Sequence, residues 1–432
     1  MNKEHRSMFL LVGLFLVAYF LPLGSGPQSN AVIGALALVK WYAREHVVLC
    51  LVPALFIAGA IAVFVKQGSV LRYLGPGANQ FAAYSVAAIS GGVLAVCSCT
   101  VLPLFAGIYQ VGAGIGPATT FLYSGPAVNI LAIVLTARVL GPELGLARTI
   151  AAVGFSVVIG LIMYLVFRRS EQVRTAAMAL GDEAKSEHPF HHHAVLFILL
   201  VAVLVFANWG QADDSAGFMA KVFFYKWWIT GFAAMVLAVV LGRWYRLSWR
   251  WLGLSALIVV ILAVLFPDHP ILSFGIGSLS LAVILNNSQG EMRDWFDQTW
   301  GFAKQILPLL FGGVLVAGLL LGSPGNSGFI PTTWIASLTG GNSIWANLGA
   351  SVAGAMMYFA TLTEVPILEG LISNGMGPGP ALALLLAGPA VSLPNLLVIR
   401  SIMGTKRTIV YLLLVVGGAT VSGILYGFLQ AG

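Results

Sequence analysis

The sequence predicts an all-α polytopic membrane protein of inverted-repeat design, with about eleven spans and two re-entrant or broken helical hairpins. Three observations predict it. Hydrophobic residues make up 59% of the chain and charged residues 9%, with mean hydropathy +0.93, whereas soluble domains carry about 25% charged residues. A segment of the first third recurs, glycine for glycine, in the last. Lys and Arg divide unequally between alternate loops.

From the N-terminus, residues 1–26 are basic at Lys3 and Arg6 and then apolar from 8 to 23. This imitates a signal peptide, but no A-x-A-type cleavage site follows, so a retained first span with its linker (1–40) is expected. Repeat unit 1 occupies 41–168, with apolar runs at 46–66, 82–110, 117–138 and 145–168. The polar stretch 169–193, ending in HPFHHH, is expected as a solvated cytoplasmic loop. Residues 194–295 form an extra four-helix block with runs at 194–209, 227–242, 251–266 and 271–286. These fall short of the roughly 20 residues a crossing needs, and borrow flanking Trp227, Trp228, Trp249 and Trp251, which suit the interface. Repeat unit 2, at 296–432, holds 301–322, 344–372, 380–399 and 408–429.

The repeat is seen by setting 103-PLFAGIYQVGAGIGPATTFLYSGPAVN-129 over 366-PILEGLISNGMGPGPALALLLAGPAVS-392. At an offset of 263, without a gap, Pro103/Pro366, Gly107/Gly370, Gly112/Gly375, Gly114/Gly377, Gly116/Gly379 and Pro117/Pro380 coincide, as does the tetrapeptide GPAV. Upstream, Pro53-x-Leu55-Phe56 answers Pro308-x-Leu310-Phe311. Apolar composition alone would not align so many glycines and prolines.

If every run spans, the copies are parallel and loop charges divide evenly. If 82–110 and 344–372 instead enter and leave on one face, the outer loops keep only Lys40, Arg44, Arg138, Arg148, Lys221 and Lys226 of the 22 basic residues. Sixteen basic residues then lie inside, as the positive-inside rule asks. The same assignment places the N-terminus in the cytoplasm and inverts one copy relative to the other.

Gly and Pro in a spanning helix free backbone groups that cost several kcal/mol each in hydrocarbon unless protein or a water-filled cavity satisfies them. Each copy is expected to break at Pro103 or Pro366, and again at Gly125-Pro126 or Gly388-Pro389. Matched interruptions in two halves point to a transporter site at the midplane; tight helix packing is the plainer reading of any one of them.

The copies differ where chemistry is expected. Cys97, Ser98, Cys99 and Thr100 stand where the second copy has Ala360, Thr361, Leu362 and Thr363. Glu364 stands opposite Val101, and Glu369 opposite Ala106. An acid inside an apolar segment is costly and usually functional, so Glu364, beside the break, is the expected proton-coupling residue. Glu369 is nearer a hairpin end. Ser98, Thr100, Thr361 and Thr363 flank the first breaks, while Tyr123, Asn129 and Asn395 can hydrogen-bond at the second; all seven are expected substrate contacts. In a regular helix, Cys97 and Cys99 would point about 200° apart. They converge on one soft atom only where the backbone unwinds; otherwise each is a small buried hydrophobe. Cys50 is either a third sulfur or core.

Other classes fare poorly. Scattered basic residues do not form a nucleic-acid footprint, and all three cysteines lie in apolar segments, unlike a secreted disulfide framework. No G-x-x-x-x-G-K-[ST] stretch occurs to couple ATP directly. A membrane thiol oxidoreductase would leave the paired breaks unexplained, and a passive channel for a small neutral solute would show proton-independent flux in vesicles. The HPFHHH run lacks nearby Cys ligands, so neither a resident metal nor a cofactor is expected, and the partners are the lipid bilayer and a small-molecule substrate.

The segments CSCTVLPL…GAGIGPATTFLYSGPAVN and TLTEVPILEGLISNGMGPGPALALLLAGPAVSLPN together resemble the predicted permease family that includes organoarsenical efflux permeases (ArsP-type). The resemblance covers both repeat units and leaves the 194–286 block and the His-rich stretch outside its pattern. It implies a multi-pass carrier of the bacterial cytoplasmic membrane, exporting in some members trivalent organoarsenicals such as methylarsenite. Cys97 and Cys99 match the family's C-x-C, and Glu364-Val365-Pro366 its second motif. A sulfur compound or soft metal is the alternative cargo.

Overall fold

Helix runs through almost all of the residues that the computed structural model describes, namely 3–21, 31–65, 74–75, 78–93, 98–128, 130–179, 189–210, 218–323, 326–327, 329, 339–358, 364–373 and 375–431. α1 (Lys3–Phe20) and α2 (Ala31–Tyr42) lead through a π-helical segment, Ala43–Leu51, into α3 (Val52–Phe64). Then come α4 (Gln80–Val93), α5 (Ser98–Gln110), α6 (Ile115–Ala127), α7 (Ile130–Val139) and α8 (Pro142–Ala179). The middle block is α9 (Phe190–Ala207), α10 (Phe218–Arg243), α11 (Trp249–Leu265) and α12 (Pro270–Asn286). Last come α13 (Glu291–Leu321), the two-residue strands β1 (Gly322–Ser323) and β2 (Asn326–Ser327), α14 (Ile344–Met356), α15 (Glu364–Ser373), α16 (Pro378–Ala387), α17 (Leu393–Met403) and α18 (Thr405–Ala431).

Among the described residues, five continuous stretches are long and apolar enough to cross a bilayer: Ala31–Phe64, Pro142–Arg174, Ala220–Arg243, Glu291–Leu320 and Thr405–Gln430. The shorter pieces have a pattern. The apolar runs 82–110, 117–138, 344–372 and 380–399 are each split into two helices, and these are the runs in which the sequence places its breaks. Helix starts at Ile115/Pro378, Ile130/Leu393 and Pro142/Thr405, and ends at Val93/Met356 and Gln110/Ser373, each recur at the offset of the sequence repeat.

The coinciding glycines have structural reasons. Gly112 (φ 112°) and Gly375 (φ 100°) take left-handed conformations in the turns before α6 and α16, which side chains with a Cβ resist. Gly116 and Gly379 let helices touch. A Cβ on Gly116 would lie 3.0 Å from the Gly160 carbonyl of α8, and one on Gly379 2.7 Å from the Gly423 carbonyl of α18. Gly160 and Gly423 are themselves a repeat apart, so the same small-residue crossing seats α6 on α8 and α16 on α18. α6 and α16 are buried over nearly their whole length, and the core forms around them.

Side-chain contacts fix directions. Tyr84, early in α4, donates to the Gly160 carbonyl at 3.3 Å and lies where a Gly116 side chain would project. Ser124, late in α6, donates to the Ala87 carbonyl, so α4 and α6 run the same way. In the second half, a Gly379 Cβ would lie 3.1 Å from Asn347 of early α14, and a Gly354 Cβ 3.0 Å from the Leu384 carbonyl; α14 and α16 are likewise parallel. The turn between α5 and α6 packs on the C-terminal part of α8 through Glu171 and Arg174. The turn between α15 and α16 lies by Leu140–Leu144, at its start. Those sites are some 27 residues apart, about 40 Å of helix.

Several sequence expectations need correction. All six basic residues expected in outer loops lie within helices: Lys40 in α2, Arg44 in the π segment, Arg138 in α7, Arg148 in α8, and Lys221 and Lys226 in α10. Arg44 is accommodated because its Nε donates to the Tyr19 carbonyl at the end of α1 and its guanidinium sits 5.1 Å from the Tyr19 ring. The His-rich stretch is not all loop: α8 continues to Ala179, and His191–His193 form the first turn of α9. Aromatic partners order it, with His192 stacked on Trp244 at 4.1 Å and His193 on Phe64 at 5.2 Å. His193 Nδ1 also meets the Tyr245 hydroxyl at 3.0 Å. No group of three or more metal-ligating side chains occurs among the described residues. Nor do the first breaks fall at the prolines. α5 starts at Ser98 and runs through Pro103, while α15 already includes Pro366. Pro103 lies inside α5 and leaves the Cys99 carbonyl without its helical donor, yet the helix continues past it.

Gly160→Ala and Gly423→Ala should each destabilise the protein by about 1–3 kcal/mol through overpacking, read as a lowered thermal midpoint in detergent. Gly231→Ala, where nothing lies within 4 Å, should leave the midpoint unchanged or slightly raised.

Candidate functional site

The two halves meet beside their first interruptions. Cys99, in the first turn of α5, is 1% exposed, and its Sγ lies 3.1 Å from the hydroxyl of Tyr358, which follows α14. The Tyr358 ring stands edge-on to Tyr42, 5.5 Å between centroids, at the entry to the π segment. Ser98 and Thr100 are buried alongside. Cys97, Thr361, Thr363 and Asn129 lie outside the described residues.

Glu364 opens α15, just past the second half's interruption, and is 1% exposed. Its Oε1 lies 2.5 Å from Nη2 of Arg148, whose side chain is fully buried. Arg148 Nη1 donates to Thr136 Oγ1 at 2.9 Å, and Thr136 donates in turn to the Ala132 carbonyl. Arg148 Nε and Nη2 and both Glu364 oxygens lack a well-directed hydrogen bond. The pair is therefore held by proximity of charge and not by the two-pronged geometry that makes such pairs strong. Arg148 is the functional residue the sequence reading missed. The signal was present, because an acid placed deep in apolar sequence calls for a named partner, and Arg148 stands at the fourth position of the run 145–168.

A second charged network sits toward the other end of α8. Glu171 accepts from Tyr109 Oη at 3.1 Å, the Ile115 amide at 3.2 Å and Arg174 Nη2 at 2.9 Å, and pairs with Arg407 of α18 at 3.0 Å. Arg174 also donates to the Tyr109 and Ala113 carbonyls. One carboxylate thus caps the start of α6 and ties its turn to α8 and α18.

The remaining expected contacts are distributed. Tyr123, buried in α6, donates to the Leu386 carbonyl at 3.3 Å, and the two residues are 263 apart. Gly125 and Pro126 lie within α6, so its break comes after Ala127. Gly388 and Pro389 do lie in the interruption between α16 and α17. Asn395 is buried with its Oδ1 unpartnered. Glu369 is exposed. Cys50 is turned elsewhere, its thiol 2.7 Å from Asn208 Oδ1 on the end of α9.

Removing one member of a buried ion pair strands the other. Arg148→Met should therefore cost about 3–5 kcal/mol, while the double variant Arg148→Met/Glu364→Gln, with neither charge, should recover most of it. Thermal unfolding of the full chain in detergent reads both; a stable single variant would remove Arg148 as the partner that matters.

The model of the predicted permease family ArsP_1 matches residues 33–428. The UPF0718 protein MJ0584 of Methanocaldococcus jannaschii is 37% identical over 390 residues, covering 90% of this chain and 93% of its own. The UPF0718 protein YraQ of Escherichia coli is 31% identical over 141 residues, covering 32% of this chain and 36% of its own. No solved structure matches. With its apolar helices and a match spanning both repeat units, this multi-pass membrane protein belongs to the predicted permease family.

Proposed function

We propose that this permease is a proton-coupled secondary carrier of a small thiophilic solute, built from two inverted units that rock against each other around their paired breaks. The observation that carries the reading is the meeting of the two interruptions: Cys99, flanking one, contacts Tyr358, flanking the other, and Glu364 begins where the second ends.

Inversion is supported by the contacts of α8. Its two ends hold the turns of the two units, as a two-fold axis in the membrane plane requires. Tyr123 touching its own counterpart, Leu386, is the contact expected where such an axis passes. On this reading α4–α5 and α14–α15 are re-entrant hairpins entering from opposite faces. The excess of Lys and Arg on the inner side of this topology favours a cytoplasmic N-terminus.

Cys99 and Cys97 are the thiols that would take a soft centre, each displacing one hydroxyl of methylarsenite; two exchangeable hydroxyls match two sulfurs. Each displaced hydroxyl leaves as water with its thiol's proton; at release Glu364 protonates the departing sulfur, while water returns a hydroxyl to arsenic and gives up its remaining proton. The family resemblance points to export, with organoarsenicals as one cargo class and sulfur compounds or soft metals as another.

Cys97→Ser and Cys99→Ser, expressed in an arsenical-sensitive bacterial host, should each abolish resistance to methylarsenite, and Glu364→Gln should abolish its dependence on the proton gradient in vesicles. Full resistance from the double serine variant would overturn thiol capture; antimonite and copper plates run beside it separate the cargo classes.

A further inference from the structure

We propose that Arg148 is the site at which the carrier binds a small monovalent anion, which takes the place of the Glu364 carboxylate when Glu364 is protonated. The inference rests on the reading of Glu364 as the proton-carrying residue, and it adds both a cargo contact and a cargo charge.

Four observations support it. The guanidinium is fully buried and offers five N–H donors, yet Nη1 alone donates in a well-directed bond, to Thr136. The Glu364 oxygens, though in contact, are as poorly directed. A buried charge in this condition is costly, and apolar replacement of such pairs is often neutral or stabilising. The fold itself supplies that replacement: at the repeat offset, Arg148 corresponds to Tyr411 and Glu364 to Val101, both buried. The corresponding buried positions are thus filled by charged side chains in one case and by neutral ones in the other. Structure alone does not require Arg148.

Its neighbours suit the role. Tyr123 of α6 is within electrostatic reach of Arg148, and Tyr411 of α18 within reach of Tyr123, with its hydroxyl unpartnered. The other titratable or charged groups on the elements packed nearby are Arg138 on α7, Glu143 in the first turn of α8 and Glu369 on α15; α16 carries none. Tyr84, Tyr164, Arg168, Arg169, Glu171, Arg174, Lys406, Arg407 and Tyr426 lie further along α4, α8 and α18. Glu364 is thus the one acid in contact with Arg148 among the described residues, and its protonation leaves the guanidinium without a counter-charge. Anion and proton then load together, so the loaded carrier gains no net charge. Release follows when Glu364 gives up its proton and re-engages Arg148.

The test uses formate, the smallest carboxylate, on the full chain in detergent, with ionic strength held by gluconate and the thermal midpoint as readout. Glu364→Gln opens no cavity but strands the Arg148 charge, so its midpoint without formate should lie below that of wild type. It should bind formate saturably near neutral pH, at a half-saturating concentration lower than wild type by about tenfold or more. Wild type should approach that value as pH falls and the carboxylate competitor takes up a proton. Arg148→Lys/Glu364→Gln should retain binding and Arg148→Gln/Glu364→Gln should lose it, gel filtration verifying that both remain folded. Equal formate response in all variants, or none in Glu364→Gln, overturns the proposal. The methylarsenite assay distinguishes the two readings. Resistance that still depends on the cysteines while formate binding fails leaves the carrier and removes the anion site. Formate binding without cysteine-dependent resistance does the reverse to the cargo.

Discussion

A peptide group that leaves a helix inside an apolar medium must find a partner, and in this protein described residues beside matched interruptions touch one another. The second breaks follow α6 and α16, the two most enclosed helices, where the Tyr123 hydroxyl crosses to the Leu386 carbonyl. The first breaks approach each other through Cys99 and Tyr358. Close glycine crossings make this possible, since α6 and α16 can stand at the centre only if α8 and α18 come to backbone contact with them. The polar centre of the molecule is therefore a consequence of how its helices are broken.

Two buried charge networks lie along α8, and their different quality suggests different work. At Glu171 each carboxylate oxygen has well-placed donors, including a backbone amide at a helix start. Such a network is rigid, because removing any member leaves others exposed to the full desolvation cost. It anchors the α5–α6 turn to α8 and α18. At Arg148 the charges are adjacent but underbonded. Alternating access requires both kinds of contact. Some must hold a turn to its neighbours while the units move, and others must exchange partners at little cost.

Much of this was legible in the sequence, and the failures share a cause. The membrane class, the four split runs and the repeat followed from composition and from glycines whose left-handed turns or helix crossings tolerate no Cβ. Gly112 and Gly375 could be matched because backbone geometry leaves the sequence no alternative. Charge was misread. Lys40 and Arg44 looked like loop residues because apolar runs were delimited by their charges, yet the helix continues through a π segment that Arg44 stabilises by reaching the end of α1. Arg148 was misplaced for the same reason, since its partner is more than 200 residues away and no local pattern announces it. HPFHHH looked like a solvated loop because its stacking partners, Phe64 and Trp244, belong to other helices. Pro103 was overvalued as a breaker, because the cost of proline depends on its position in a helix as much as on its presence.

Duplication gives a scaffold two equivalent halves, and the function of this one is best sought where they stop being equivalent. Symmetry-related positions bear the same packing demands, so a residue needed only for packing should be matched by something similar in the other unit. The glycine pairs Gly116–Gly160 and Gly379–Gly423 obey that expectation, as do the turn glycines. Cys97 and Cys99 against Ala360 and Leu362 do not, nor does Arg148 against Tyr411, nor Glu364 against Val101. The departures collect at the flanks of the first breaks and on the helix packed beside them. At Arg148 and Glu364 the charged residue has a buried counterpart without charge, Tyr411 or Val101. The chemistry is thus separable from the scaffold that positions it, and relatives sharing the repeat but differing at these positions should carry different cargo on the same fold.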